Sequence, residues 1–116
     1  MGTWGNIMKI YALSSKPSLG KMNQTEAAYS AQLELLRRSG QIARWDFEPV
    51  KLRLADRTFY TPDFRVIDSN GAEEYHEVKG FFREDAAVKI KVAAEQHPYP
   101  FFLVKKTKQG FTKERI

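Results

Sequence analysis

Residues 61–80 have the sequence TPDFRVIDSNGAEEYHEVKG, and this stretch decides the expected fold. A strand-forming run from Phe59 to Asp68 is followed by the turn signal Ser69-Asn70-Gly71 and by a second run from Glu73 to Lys79. Two such runs around a short loop that contains glycine are typical of a β-hairpin. We therefore predict two antiparallel strands with acidic side chains on both.

The length of the hairpin loop decides whether Asp63 and Glu77 face each other. With a two-residue loop, Asn70-Gly71, Asp63 would lie opposite Val78 and point away from Glu77. With a three-residue loop that includes Ser69 and holds the glycine in the left-handed conformation, Asp63 lies opposite Glu77. We predict the three-residue loop, which places the two Cβ atoms about 4.5–5.5 Å apart.

These two carboxylates and a nearby lysine carry more chemical content than any other stretch of the chain. Lys79 follows Glu77 by two residues, so both side chains leave the same face of the strand. Like charges opposed across a β-ladder are destabilising, and a divalent cation bound through oxygen ligands would offset their repulsion. A lysine beside such an ion can act on water or phosphate. The alternative is an ordinary surface hairpin with scattered charges, but the order and geometry of Asp63, Glu77 and Lys79 favour a metal site.

Helices and further strands are predicted on both sides of the hairpin. Asn23 and Glu26 form a capping-box pattern at the start of a helix that ends at Gly40. The other regular elements are predicted at Ile42–Phe47, Val50–Leu54, Asp85–His97 and Phe101–Val104. The order α-β-β-β-α-β predicts an α/β (α+β) domain, in which helices flank a mixed β-sheet.

We expect three segments along the chain. Residues 1–22 are an N-terminal arm with little periodicity, in which Asn6–Leu13 has the pattern of a short strand. Residues 23–105 form the folded domain, and residues 106–116 form a polar, basic and loosely ordered tail.

Glu26 has two interpretations that the local sequence leaves open. It shares a helical row with Tyr29, Leu33 and Leu36, and this otherwise apolar row should face the sheet. A carboxylate on a buried row requires a partner or a bound metal ion. The capping box with Asn23 also accounts for a glutamate at this position by itself.

The composition indicates a single domain. Its net charge fits either a phosphate-rich partner or a basic domain without one, and the distribution of the charges favours the partner. The chain of 116 residues has a formal net charge of +5, yet its acids concentrate around the hairpin. It has no cysteine, which excludes thiolate metal sites and thiol nucleophiles and suits a cytoplasmic location. No apolar run approaches the length of a membrane span, so no membrane partner is expected. The candidate phosphate contacts are Arg37, Arg38, Lys51, Arg53, Lys89, Lys91, Lys105 and Lys106.

The hairpin motif resembles the signature of the PD-(D/E)XK nuclease superfamily. Pro62-Asp63 corresponds to its first half and Glu77-Val78-Lys79 to its second. The stretch that begins Glu26-Ala-Ala-Tyr and the stretch Pro-Asp-Phe-Arg-Val look most like small phage and prophage endonucleases. These are relatives of phage endonuclease I and of other Holliday-junction resolvases. The likeness covers roughly residues 21–105.

The resemblance implies a site and a reaction. Asp63 and Glu77 would ligate Mg²⁺, or Mn²⁺ in its place, together with the carbonyl of Val78. Glu26 matches an acidic position on the first helix that joins the metal site in this superfamily. Lys79 would be the catalytic lysine, and the reaction would be hydrolysis of a DNA phosphodiester bond that leaves a 5′-phosphate.

Substrate and assembly remain open at this point. Duplex or branched DNA is the expected partner, and symmetric cleavage of a junction would call for a homodimer, whereas a monomer would favour a nickase, flap or single-strand nuclease. A second class of protein is a nucleic-acid-binding module or structural partner with the same fold and no activity. His76 lies beside Glu77 but points to the opposite face, so we predict a structural role for it.

Overall fold

The computed structural model describes residues 21–79 and 84–116, and the side chains of residues 84 and 85 lie outside that description. Nearly all of the expected N-terminal arm, including the short strand at Asn6–Leu13, therefore lies outside the described residues. The regular elements are α1 Gln24–Arg38, β1 Ile42–Phe47, β2 Leu52–Ala55, β3 Thr58–Tyr60, β4 Phe64–Asp68, β5 Glu73–Lys79, α2 Glu84–Gln96, β6 Phe101–Thr107 and β7 Gly110–Arg115. None of the helices in this part of the chain is long and apolar enough to cross a bilayer.

Five strands form one mixed sheet, as the sequence predicts for an α+β domain. Their spatial order is β1-β4-β5-β6-β7, and β2 and β3 form a separate two-stranded ribbon. The pairs β1–β4, β4–β5 and β6–β7 are antiparallel, whereas β5 and β6 are parallel. Because parallel strands need a crossover connection, α2 lies between β5 and β6 in the chain.

The predicted hairpin register is confirmed. Phe64 pairs with His76 and Ile67 with Glu73, so paired residue numbers sum to 140. Gly71 has φ +88°, the left-handed conformation that the three-residue loop requires. The Asp68 carboxylate closes the loop by accepting hydrogen bonds from the N–H groups of Asn70 at 2.8 Å and Ala72 at 2.9 Å.

The prediction of one continuous strand from Phe59 to Asp68 is wrong. β3 ends at Tyr60 and β4 begins at Phe64. Pro62 lies in the gap, where its missing N–H and fixed φ oppose an uninterrupted ladder. The break allows the β2–β3 ribbon to leave the plane of the main sheet.

The expectation of a loosely ordered tail is also wrong. β6 continues to Thr107, and β7 pairs with it along its whole length, from Phe102 with Arg115 to Thr107 with Gly110. β7 is the edge strand of the sheet, and its side chains from residue 112 onward are exposed. An edge strand needs little apolar surface and is commonly rich in charged residues, so a polar sequence does not exclude a strand here.

The two faces of the sheet bury separate cores. The face beneath α1 contains Tyr29, Leu33, Phe64, Val66, Val78 and Val104. The face beneath α2 and the β2–β3 ribbon contains Leu52, Leu54, Tyr60, Tyr75, Ile90, Ala93 and Phe101. Because side chains alternate along β5, Glu77 shares the second face with Tyr75, and His76 shares the first with Val78.

The predicted capping box at the start of α1 is present. The side chain of Asn23 accepts from the N–H of Glu26 at 2.8 Å, and the Glu26 carboxylate accepts from the N–H of Asn23 at 2.9 Å. Gly40 follows the helix with φ +82°, as expected for a residue that ends a helix in the left-handed conformation.

Candidate active site

Asp63 and Glu77 lie close together beside the start of β4, where residues 61–63 connect the β2–β3 ribbon to the main sheet. Asp63 is the residue before β4, and continuing the hairpin register by one position places it opposite Glu77. Asp63 is only 9% exposed. Its Oδ2 accepts from the backbone N–H of Val78 at 2.8 Å, which attaches the carboxylate to β5. The predicted pair is therefore formed, with Asp63 buried and Glu77 half-buried.

Burial and mutual repulsion make these carboxylates hard to ionise together. Burial is the largest cause that raises the pKa of Asp63, and the charge of Glu77 raises it further. The pKa of Glu77 is also raised, mainly by burial, although hydrogen bonds from the Tyr60 hydroxyl and from the Asp63 backbone N–H oppose the change. A cation bound between the two groups would oppose both shifts, because a nearby positive charge favours the ionised form of each carboxylate.

Tyr60 holds Glu77 from the ribbon side. Its hydroxyl donates to Glu77 Oε1 at 2.5 Å, and its ring is buried with Leu52 and Leu54 in the core under α2. Burial and the charge of Glu77 raise the pKa of Tyr60, so the hydroxyl stays a donor. Sequence reasoning missed this contact. The only sequence signal for the contact is that Leu52 and Leu54 alternate along β2 and that Tyr60 can share their inner face of the ribbon.

Lys79 lies on the same face of β5 as Glu77, as predicted. Its Nζ is shielded from solvent, and burial lowers its pKa, while the charge of Glu77 opposes that change. Lys105 pairs with Lys79 across the parallel β5–β6 ladder, and its charge lowers the pKa of Lys79 further. A lysine with a lowered pKa is better able to exchange a proton near neutral pH.

Two further acids act on the pair. The charges of Glu26 and Glu48 both raise the pKa of Asp63, and that of Glu26 also raises the pKa of Glu77. Glu26 thus takes part in the capping box and in the electrostatics of the site. Among the described residues, however, no three His, Asp or Glu side chains converge closely enough to form a ready-made metal site.

Sequence reasoning did not select Glu48. Its backbone N–H donates to the Asp63 carbonyl at 2.8 Å and extends the β1–β4 ladder by one bond. Glu48 has φ +44°, an uncommon value for a residue with a side chain. The only signal in the sequence is its position before Pro49, which has no N–H group to continue the ladder.

His76 is structural, as predicted. It is 2% exposed on the α1 face, where its Nδ1 lies 2.6 Å from the Tyr29 hydroxyl and its Nε2 lies 3.1 Å from Glu74 Oε1. Burial lowers the pKa of His76, which favours a neutral ring that accepts from Tyr29 and donates to Glu74. This network joins α1 to the strand that carries Glu77.

The predicted phosphate contacts fall into separate regions. Arg37 and Arg38 lie at the far end of α1, about 16 Å along the helix from Glu26, and both pair with Glu34. Lys105 lies beside Lys79, and Lys106 is exposed on the same strand. The remaining candidates are exposed on the ribbon (Lys51 and Arg53) and on α2 (Lys89 and Lys91). The structure therefore brings Lys105 to the site and leaves the two arginines of α1 away from it.

Val78 approaches the site through its N–H group, which binds Asp63. The expected use of its carbonyl as a ligand stays a prediction. No protein-family model matches the chain, and a search of curated proteins finds no match either.

Proposed function

We propose that this chain is a metal-dependent DNA endonuclease that hydrolyses phosphodiester bonds, with Mg²⁺ as its ion and Mn²⁺ as a substitute. The observation that carries the proposal is the pair of a buried Asp63 and a half-buried Glu77, which shares one face of the hairpin with Lys79. Two facing acids withdrawn from solvent and a shielded lysine have no evident use in stabilising a hairpin. They match what hydrolysis of a phosphodiester requires.

The residues at the site fit a hard divalent cation. Asp63 and Glu77 offer carboxylate oxygens, which Mg²⁺ prefers, and their raised pKa values indicate that a positive charge is needed to keep both ionised. Glu26 adds negative charge from α1. A bound ion would lower the pKa of a coordinated water and offset charge on the phosphate.

The protein side chains have separable roles in this proposal. Lys79 orients or deprotonates the attacking water, or it neutralises charge on the phosphate. Its lowered pKa helps it to accept and give up a proton near neutral pH. Tyr60 fixes the orientation of Glu77, and the Val78 N–H fixes that of Asp63. Such supporting contacts commonly decide the affinity of a metal site.

DNA that is branched or joined at a junction is the proposed substrate. The proposal is supported by Lys105 beside the site and by exposed cations on the ribbon and on α2, each of which can neutralise phosphates. Symmetric cleavage of a junction would require two copies of the chain related by a two-fold axis. The setting that we propose is phage-related, in the cytoplasm of a bacterial host.

The competing function is a nucleic-acid-binding module without activity. Two facing carboxylates that are withdrawn from solvent repel phosphate and destabilise the fold at neutral pH, so a module that only binds has no reason to keep them. Dependence on a divalent ion separates the two functions, because only the nuclease needs one for its action on DNA.

A cleavage panel tests the proposal. Labelled four-way junction, flap, single strand and linear duplex are incubated with the protein in Mg²⁺, Mn²⁺ or EDTA. Lys79→Met is compared with Lys108→Met, which changes an exposed lysine in the β6–β7 turn. We expect cleavage in Mg²⁺ and none in EDTA, and a loss of at least about a hundredfold for Lys79→Met alone. No cleavage of any substrate, or full activity in Lys79→Met, would overturn the assignment.

A further inference from the structure

The β2–β3 ribbon has two chemically different faces. Its inner face consists of the buried side chains of Leu52, Leu54 and Tyr60. Its outer face carries Arg53 directly opposite Phe59, and Phe59 is 44% exposed. Phe59 thus presents part of a large aromatic ring to solvent on the outer face of the ribbon.

Cationic side chains lie next to the exposed ring of Phe59. Lys51 Nζ lies 5.9 Å from the centroid of Phe59, within the range of a cation–π contact. Arg53 and Arg57 are also exposed, and Asp56 in the turn is the single acid between β2 and β3. The outer face thus carries an exposed aromatic ring with Lys51 over it and Arg53 opposite it, a combination that is complementary to a nucleotide strand.

The ribbon face is close to the candidate active site along the chain. Phe59 precedes Tyr60, whose hydroxyl binds Glu77 on the other side of the ribbon. Asp63 follows Phe59 by four residues, a separation of at most about 14 Å in extended chain. A DNA strand held on Phe59 would therefore lie within a few nucleotides of the phosphate at the site.

We propose that the outer face of this ribbon binds an unpaired segment of DNA, with a base stacked on Phe59 and phosphates on Lys51 and Arg53. Within a duplex the faces of the bases are covered by their neighbours, so a protein ring gains a stacking partner only where a base is unpaired or unstacked. This inference rests on the proposed function. It narrows the substrate to DNA with a single-stranded stretch next to the cut, as in a flap or an opened junction.

Binding without cleavage tests this face independently of catalysis. A fluorescein-labelled oligothymidine and a labelled duplex of equal length are titrated in EDTA with wild type, Phe59→Ala, Phe59→Trp and Val88→Ala. Val88 is a matched control because it is an apolar residue, 55% exposed, on α2. We expect Phe59→Ala to weaken oligothymidine binding by roughly tenfold, with little change for duplex. Phe59→Trp should restore affinity, and Val88→Ala should leave it unchanged.

Three results would overturn the inference. These are unchanged oligothymidine binding by Phe59→Ala, an equal loss for duplex and single strand, and a wild-type dimer that Phe59→Ala converts to a monomer in a mass measurement. The last result would identify the face as an interface between copies of the chain. If Phe59 contributes to binding but no DNA is cut in Mg²⁺, the endonuclease proposal fails while this binding face stands.

Discussion

Replacing Asp63 by asparagine should stabilise the metal-free protein at neutral and alkaline pH. Asparagine is nearly isosteric, and its side-chain oxygen can still accept from the Val78 N–H. The change removes the buried charge of Asp63, which the neighbouring charge of Glu77 repels. A substitution in a hairpin core that raises stability is unusual, and it is expected where a site has been kept for function rather than for folding.

Linkage gives an upper limit for the effect. Burial and the charge of Glu77 raise the pKa of Asp63 from 3.8 to about 8, which corresponds to a cost of about 5 kcal/mol at pH 8. The buried amide of asparagine retains part of that cost, so the expected gain is smaller. The pKa values of Asp63 and Glu77 are raised in the folded state, so the folded state binds more protons than the unfolded chain over the intervening pH range. Stability is therefore full at acid pH and is lost as the pH rises through the folded-state values. A pKa that is higher by one in the folded state corresponds to about 1.4 kcal/mol. Allowing for a weaker hydrogen bond to Val78, we expect a gain of about 2 kcal/mol at pH 8, or roughly 8 °C in Tm.

The assay is thermal unfolding from pH 5 to pH 8 in EDTA, repeated in excess Mg²⁺. Asp68→Asn is the matched control, because Asp68 is on the same strand but serves the loop. The wild-type Tm should fall as the pH rises in EDTA and recover with Mg²⁺. In Asp63→Asn the fall should be smaller, because burial still raises the pKa of Glu77 there, and Mg²⁺ should not restore the Tm. A loss of Tm in Asp63→Asn that is equal at pH 5 and pH 8 would refute the reasoning.

Two further substitutions test the support of the site and the fold. Tyr60→Phe removes the hydrogen-bond donor to Glu77 but keeps the packed ring. We expect the affinity for Mn²⁺ to fall by about ten- to a hundredfold in a titration, with the fold retained. Unchanged affinity would contradict a positioning role for Tyr60. Leu33→Ala should lower the free energy of unfolding by about 2–5 kcal/mol in denaturant, because Leu33 is only 1% exposed. The control Leu35→Ala lies on the same helix but is 67% exposed, so it should change stability by less than about 0.5 kcal/mol. Similar costs for the two variants would contradict the placement of α1.

The pairing of Asp63 with Glu77 could be predicted because one local feature decides it. The loop Ser69-Asn70-Gly71 sets the register, and the period of two along each strand then fixes the face of every side chain. The capping box at Glu26 is predictable for the same reason, since both partners lie within one turn of helix.

The contacts that sequence reasoning missed depend on tertiary position. Tyr60 reaches Glu77 only because the chain breaks at Pro62 and folds the ribbon over the sheet. Glu48 approaches Asp63 only because β1 pairs with β4. No local pattern reports either arrangement.

Two further features could not be predicted because they involve charged or polar residues: the burial of Arg65 and the edge strand β7. Arg65 is fully buried within β4, where it binds Asp46 at 2.6 Å, although the sequence gives no sign that a charge lies inside. β7 has little buried surface because it forms the sheet edge, so its polar sequence resembles a tail. In both cases the neighbouring strand determines the structure.

Direct metal binding tests the central claim, that Asp63 and Glu77 form a divalent cation site. Mn²⁺ is titrated into wild type, Asp63→Asn and Asp68→Asn, and free ion is measured by electron paramagnetic resonance. We predict saturable binding by wild type and by Asp68→Asn, and loss of that binding in Asp63→Asn. Equal binding by all three proteins, or none by wild type, would contradict the account.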